Sequence, residues 1–79
     1  MTVCEAIIER IRELCEERNM TEYMLIYNAG MPPSTVKSII NGRSKNPGIT
    51  NIKKITEGLG VSIREFYDSE VFENLDQED

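Results

Sequence analysis

A glycine followed two residues later by a pair of prolines, Gly30-Met31-Pro32-Pro33, lies between two helical patterns and constrains this chain more than any other stretch. Proline lacks a backbone N–H and clashes with the preceding turn, so no single helix runs through the segment. Glycine takes the left-handed geometry that ends a helix, and proline suits a first helical position. The pattern therefore predicts one helix closing at Ala29-Gly30 and a second resuming at Pro33, with Asn41-Gly42 as its stop. Upstream, Thr21 is placed to act as N-cap for the first of the two.

Helical spacing lets Leu25, Ala29, Met31, Val36 and Ile39 share one buried wedge. Ser34, Thr35, Lys37, Ser38 and Asn41 are then left on the outside of the second helix. The first helix braces and the second presents. A presented helix fits the DNA major groove, where its side chains reach base edges and phosphates. The other reading of the same spacing is an αα-hairpin in some different small bundle.

Around this unit the remaining chain reads as support. Residues 3–18 carry Val3, Cys4, Ile7, Ile8, Ile11, Leu14 and Cys15 at three- and four-residue steps, an amphipathic stripe with charged residues on its other side. Thr2 and Glu5 fit a capping box. A fourth helix is expected from about Thr50 to Leu59, buried through Ile52, Ile55 and Leu59, with Ile49 stapling its start and Gly60 ending it. Val61 packs, Ser62 caps, and Ile63, Phe66 and Tyr67 supply the apolar face of a fifth helix. In the tail, Val71, Phe72 and Leu75 share one side of a short helical turn, ahead of an acidic end at Asp76, Glu78 and Asp79. Those apolar groups either fold back on the domain or meet a second copy in a two-fold dimer.

Composition narrows the function classes. Seventy-nine residues leave room for one small core. No apolar run approaches the roughly 18 residues of a membrane span, and the N-terminus lacks the layout of a secretion signal, so a cytoplasmic protein is expected. Cys4 and Cys15 sit eleven residues apart on one predicted helix. Their separation of roughly 16 Å along its axis exceeds the about 7 Å that a disulfide spans. With no histidine in the chain, a zinc site or a Cys-His nucleophile lacks its parts, and the cysteines read as small buried hydrophobes. No carboxylates converge for acid–base work, so no enzyme and no cofactor are expected.

The net charge of −5 is unusual for a nucleic-acid binder, which is expected to carry a basic footprint. Its distribution changes the picture. Residues 23–56 contain no acid and carry Lys37, Arg43, Lys45, Lys53 and Lys54, whereas residues 1–22 sum to −3 and 57–79 to −7. A phosphate in contact feels charges within the screening distance of about 8–10 Å more than a distant tail. The loop Asn41-Gly42-Arg43-Ser44-Lys45-Asn46-Pro47-Gly48 contributes two of those cations, and no GxxxxGK[ST] nucleotide pattern occurs.

Taken in order, Thr21 and Leu25, Gly30, Ser34-Thr35-Val36, Asn41-Gly42-Arg43 with Asn46-Pro47, and Leu59-Gly60-Val61-Ser62 with Glu65-Phe66 resemble helix-turn-helix domains of the phage repressor and Cro class, the xenobiotic-response-element type. The likeness spans roughly residues 4–68. It implies an all-α, compact five-helix repressor-like DNA-binding domain over residues 1–68, with the helix-turn-helix at helices 2 and 3, followed by a tail at 69–79. It further implies that the third helix, about Pro33 to Asn41, enters the major groove of double-stranded DNA, often as a homodimer. The base-reading positions then fall on Pro33, Ser34, Lys37 and Ser38, with Thr35 close to the backbone. The family's loop lies along the DNA backbone, which makes Arg43, Ser44 and Lys45 the phosphate-positioning set, with Asn41 and Thr21 beside them. Where the family commonly has a phosphate-contacting glutamine after the N-cap, this chain has Glu22. A carboxylate there repels phosphate unless it is turned to a cation or to the helix N-terminus. Few bidentate readers imply modest direct discrimination, with Lys37 the candidate for guanine or phosphate. The implied function is a DNA-binding transcriptional regulator of bacterial or phage type; the alternative is a protein-interaction module that kept the scaffold and lost DNA reading.

Overall fold

In a computed structural model that describes residues 1–77, the chain folds into five α-helices and a closing 3-10 turn, with no strand among the described residues. Helix α1 runs Val3–Glu17, α2 Glu22–Ala29, α3 Pro33–Ile40, α4 Ile49–Leu59 and α5 Ile63–Tyr67; the 3-10 turn is Glu70–Phe72. Glu78 and Asp79 of the expected acidic end lie outside the described residues. No helix among the described residues is long and apolar enough to cross a membrane.

Local chemistry sets most boundaries. The Thr2 hydroxyl accepts from Glu5 N–H while the Glu5 carboxylate accepts from Thr2 N–H, a complete capping box, and Ser62 with Glu65 repeats it at α5. Thr21 accepts from Met24 N–H at 3.1 Å. Gly30 ends α2 at φ 64°, a left-handed conformation in which a side chain is strained. Pro33 opens α3 as its first residue, where its missing N–H costs nothing.

Twelve apolar side chains form one core: Ile7, Ile11 and Leu14 from α1, Leu25 from α2, Met31 from the bend, Val36 and Ile39 from α3, Ile52, Ile55 and Leu59 from α4, then Val61 and Phe66. Each such burial contributes roughly 1.5–3 kcal/mol. The wedge expected of the bent pair is present, with Ala29 at its margin. There Gly58 of α4 meets α2 so closely that an added Cβ would lie 2.9 Å from both the Cβ and the backbone N of Ala29. That contact sets the α2–α4 spacing.

Several expectations need correction. Ile49 does not staple α4; it is the first residue of that helix, capped by Gly48, and is 83% exposed. The helix simply starts one residue earlier than Thr50 and points Ile49 outward. In α1, which ends at Glu17 with Arg18 as C-cap, Val3 is exposed and Cys4, Ile8 and Cys15 are only half-buried. Of the apolar face expected for α5, only Phe66 is fully buried, while Ile63 and Tyr67 stay partly exposed at 44% and 41%. The charged side of α1 is not uniformly solvated. Arg10 donates from Nε to the Phe66 carbonyl at 2.6 Å and from a terminal nitrogen to the Glu65 carbonyl at 2.7 Å. It also pairs with Glu13 at 3.0 Å. The Glu65 carbonyl otherwise accepts only the long bond from Asp68 N–H at 3.3 Å and the Phe66 carbonyl has no backbone donor among the described residues, so the guanidinium supplies a charged donor to each.

The tail folds back. Phe72 packs on Phe66 and Tyr67 with ring centroids 6.0 and 4.9 Å away. The Ser69 hydroxyl donates to Glu13, and Asp76 both donates its N–H to the Met1 carbonyl and pairs with the N-terminal amine at 3.4 Å. Val71 and Leu75 are half-buried, and only residues 70–72 form the turn.

Candidate nucleic-acid interface

Burial of Val36 and Ile39, with Met31 beneath the bend, fixes how α3 is rotated. On a 3.6-residue period that leaves Pro33, Ser34 and Lys37 exposed, Thr35 and Ser38 half-buried, and Asn41 exposed as the C-cap. Every residue expected to be presented by this helix is accessible, and none of their side chains makes a hydrogen bond to the described residues.

The loop after α3 is pinned at its start. Arg43 and Ser44 both donate backbone N–H to the Ser38 carbonyl, at 2.9 and 3.1 Å, and Gly42 donates to Ile39 at 3.2 Å. Further along, the Cys4 thiol donates to the Lys45 carbonyl at 2.9 Å, tying the loop to α1 across 41 residues of sequence. Cys4 is therefore a half-buried hydrogen-bond donor and not the buried hydrophobe expected. The Arg43 and Lys45 side chains stand in solvent, and neither enters an ion pair among the described residues. Lys53, by contrast, pairs with Glu57 one turn on.

Because Ser44 is drawn back to Ser38, the outer face of α3 and the loop meet in one cleft lined by Ser34, Thr35, Ser38, Ile39, Ser44 and Asn51. Among the described residues no carboxylate lines it. Four of the expected residues thus come together, joined by Asn51 of α4, which sequence reasoning missed. Its signal was faint: an amide in the first turn of the next helix has no sequence neighbour that marks it as facing α3. Asn41 is placed apart, in a depression shared with Glu5, Glu9 and Arg12 of α1.

Thr21 and Glu22 form the start of α2. The Thr21 hydroxyl is engaged as the cap, while Glu22 is exposed in the first helical turn. No cation pairs with Glu22 among the described residues, so what remains for its charge is the positive end of α2. It also lies near Cys15: burial pushes the Cys15 thiol above its ordinary pKa, and the Glu22 carboxylate adds to that rise. On the outer side of the same helix, Tyr23 and Tyr27 are 76% and 77% exposed.

Chemically the assembled surface offers uncharged donors in a cleft and free cations beside it. Among the described residues no three His, Cys, Asp or Glu side chains group as a metal site. Searches of curated proteins and of solved structures return no significant match. A family model described as helix-turn-helix matches residues 11–66, which takes in all of α2 and α3, the bend, the loop and α4. That family is one of non-enzymatic DNA-binding domains. With the matched segment covering well over half of the sequence, this chain belongs to the Cro/repressor-type helix-turn-helix family of the xenobiotic-response-element class.

Proposed function

We propose that the protein is a DNA-binding transcriptional regulator of bacterial or phage type that lays α3, from about Pro33 to Asn41, in the major groove. The observation that carries this reading is the meeting of the outer face of α3 with the loop bearing Arg43 and Lys45, in a cleft free of carboxylates. In this reading Pro33, Ser34, Lys37 and Ser38 face base edges. Lys37 is the one long donor among them, and the serines bond many bases without strong preference. Arg43, Ser44 and Lys45 hold the phosphate backbone, with Thr21, Thr35 and Asn41 near it. Glu22 occupies a phosphate-facing position and weakens affinity there. A second copy joined through the C-terminal region would place two reading helices about 34 Å apart on a two-fold site.

Selection of bound duplexes from a random pool tests the proposal. Enrichment of a defined site supports it, two half-sites one helical turn apart support the dimer, and recovery of no duplex at low salt rejects DNA binding. The exposed pair Tyr23 and Tyr27, beside an unpaired Glu22, favours the second reading, a protein-interaction module on this scaffold. A partner captured by the native chain but lost on Tyr23→Ala with Tyr27→Ala, together with absent duplex binding, would establish that reading instead.

A further inference from the structure

The cleft between α3 and α4 has a composition unlike the rest of the proposed DNA surface. Its polar members are four hydroxyls, from Ser34, Thr35, Ser38 and Ser44, and the amide of Asn51. None of the five side chains makes a hydrogen bond to the described residues, and among those residues no charged group lines the cleft. Asn51 is half-buried in the first turn of α4, and Gly48 gives that helix no side-chain cap. Five solvent-reached polar groups without internal partners line one opening and are free to donate to an acceptor that comes from outside. The cations Arg43 and Lys45 stand on the adjoining loop, which places this opening where a polyanion would run.

We infer that the loop and α4 side of this cleft, Ser44 and Asn51, seats one phosphodiester oxygen of the duplex with the Asn51 amide as its principal donor, while Ser34 and Ser38 on the α3 wall keep to base edges. The inference rests on the DNA-binding reading above and adds a residue and a mode of contact to it. An uncharged donor bonds phosphate without displacing a condensed counterion, whereas a lysine or arginine displaces one. Asn51 therefore contributes to affinity equally at low and high salt. Lys45 contributes most at low salt.

The test is titration of a labelled duplex with the native chain, Asn51→Ala, Asn51→Asp and Lys45→Ala at a series of salt concentrations, after thermal melts confirm that each variant folds. Because the Asn51 amide has no internal partner, Asn51→Ala is expected to melt like the native chain. It is expected to bind roughly ten- to hundredfold more weakly at every salt concentration, the loss typical of one hydrogen bond to a charged group. The slope of log affinity against log salt should stay unchanged. Asn51→Asp should bind more weakly than Asn51→Ala, because it sets a carboxylate against the phosphate. Lys45→Ala should reduce the slope by about 1. Native affinity in Asn51→Ala, or a slope change in it like that of Lys45→Ala, overturns the neutral phosphate seat while leaving DNA binding intact. Failure of the native chain to bind duplex at low salt overturns the DNA reading itself, and the seat with it.

Discussion

Arg10 shows how much of this small fold depends on single long-range side chains. Its side chain is 13% exposed and holds carbonyls 55 and 56 residues away while pairing with Glu13. Replacing it with methionine keeps apolar bulk but leaves the Phe66 carbonyl without a donor and the Glu65 carbonyl with only the Asp68 N–H, with an expected loss of about 2–3 kcal/mol in urea denaturation. Gly58→Ala places a methyl against the Ala29 backbone, which cannot move without shifting α2. A destabilisation of about 1–3 kcal/mol is expected by the same measurement. Two ionisations add a pH dependence. Burial holds the Cys15 thiol, helped by Glu22, and the Tyr67 phenol above their ordinary pKa values. A raised pKa means that the fold favours the protonated form, so stability is full below the unfolded-state values and declines as pH rises through the folded ones. Urea midpoints should therefore fall from about pH 8.5 upward, and Cys15→Ala should remove the earlier part of that decline. A midpoint independent of pH in that range would contradict it.

At the scale of elements, the parts legible in the sequence were those decided within a few residues. Thr21, Gly30, Pro33, Gly60 and Ser62 each act on a neighbour no more than four positions away, so capping and turn chemistry located α2, α3 and α5 and the bend. Thr21→Ala accordingly should cost about 1 kcal/mol, measurable as lost helicity on melting. What stayed hidden was set by packing. Ile49 is an apolar residue beside a helix start and looked like a staple, but no local rule states which way the chain turns as it leaves Pro47. The Cys4 bond to Lys45 and the close approach of Gly58 to Ala29 join positions separated by 41 and by 29 residues. The candidate site divides the same way: Ser34, Ser38 and Lys37 followed from helical period, Arg43 and Lys45 from resemblance, and Asn51 only from the folded chain.

For the whole molecule, the decisive feature is the separation of charge. A chain of net −5 keeps residues 23–56 free of acids, and the fold gathers the outer face of α3 and the two loop cations within that acid-free span. Of the acidic ends, Glu5 and Glu9 border this face, sharing depressions with Asn41 and, for Glu5, with Lys45, while the tail is held to the first helix region by contacts of Asp76 and Ser69. The central claim is that this face meets a polyanion despite the overall charge. The measurement that tests it most directly is the affinity of the native chain for a labelled duplex pool as salt is varied. The account predicts log affinity falling linearly with log salt, with a slope near −0.9 for each phosphate neutralised and thus roughly −2 for Arg43 and Lys45, the two cations assigned to the phosphate backbone. Binding that is absent at low salt, or unchanged across the series, would contradict it.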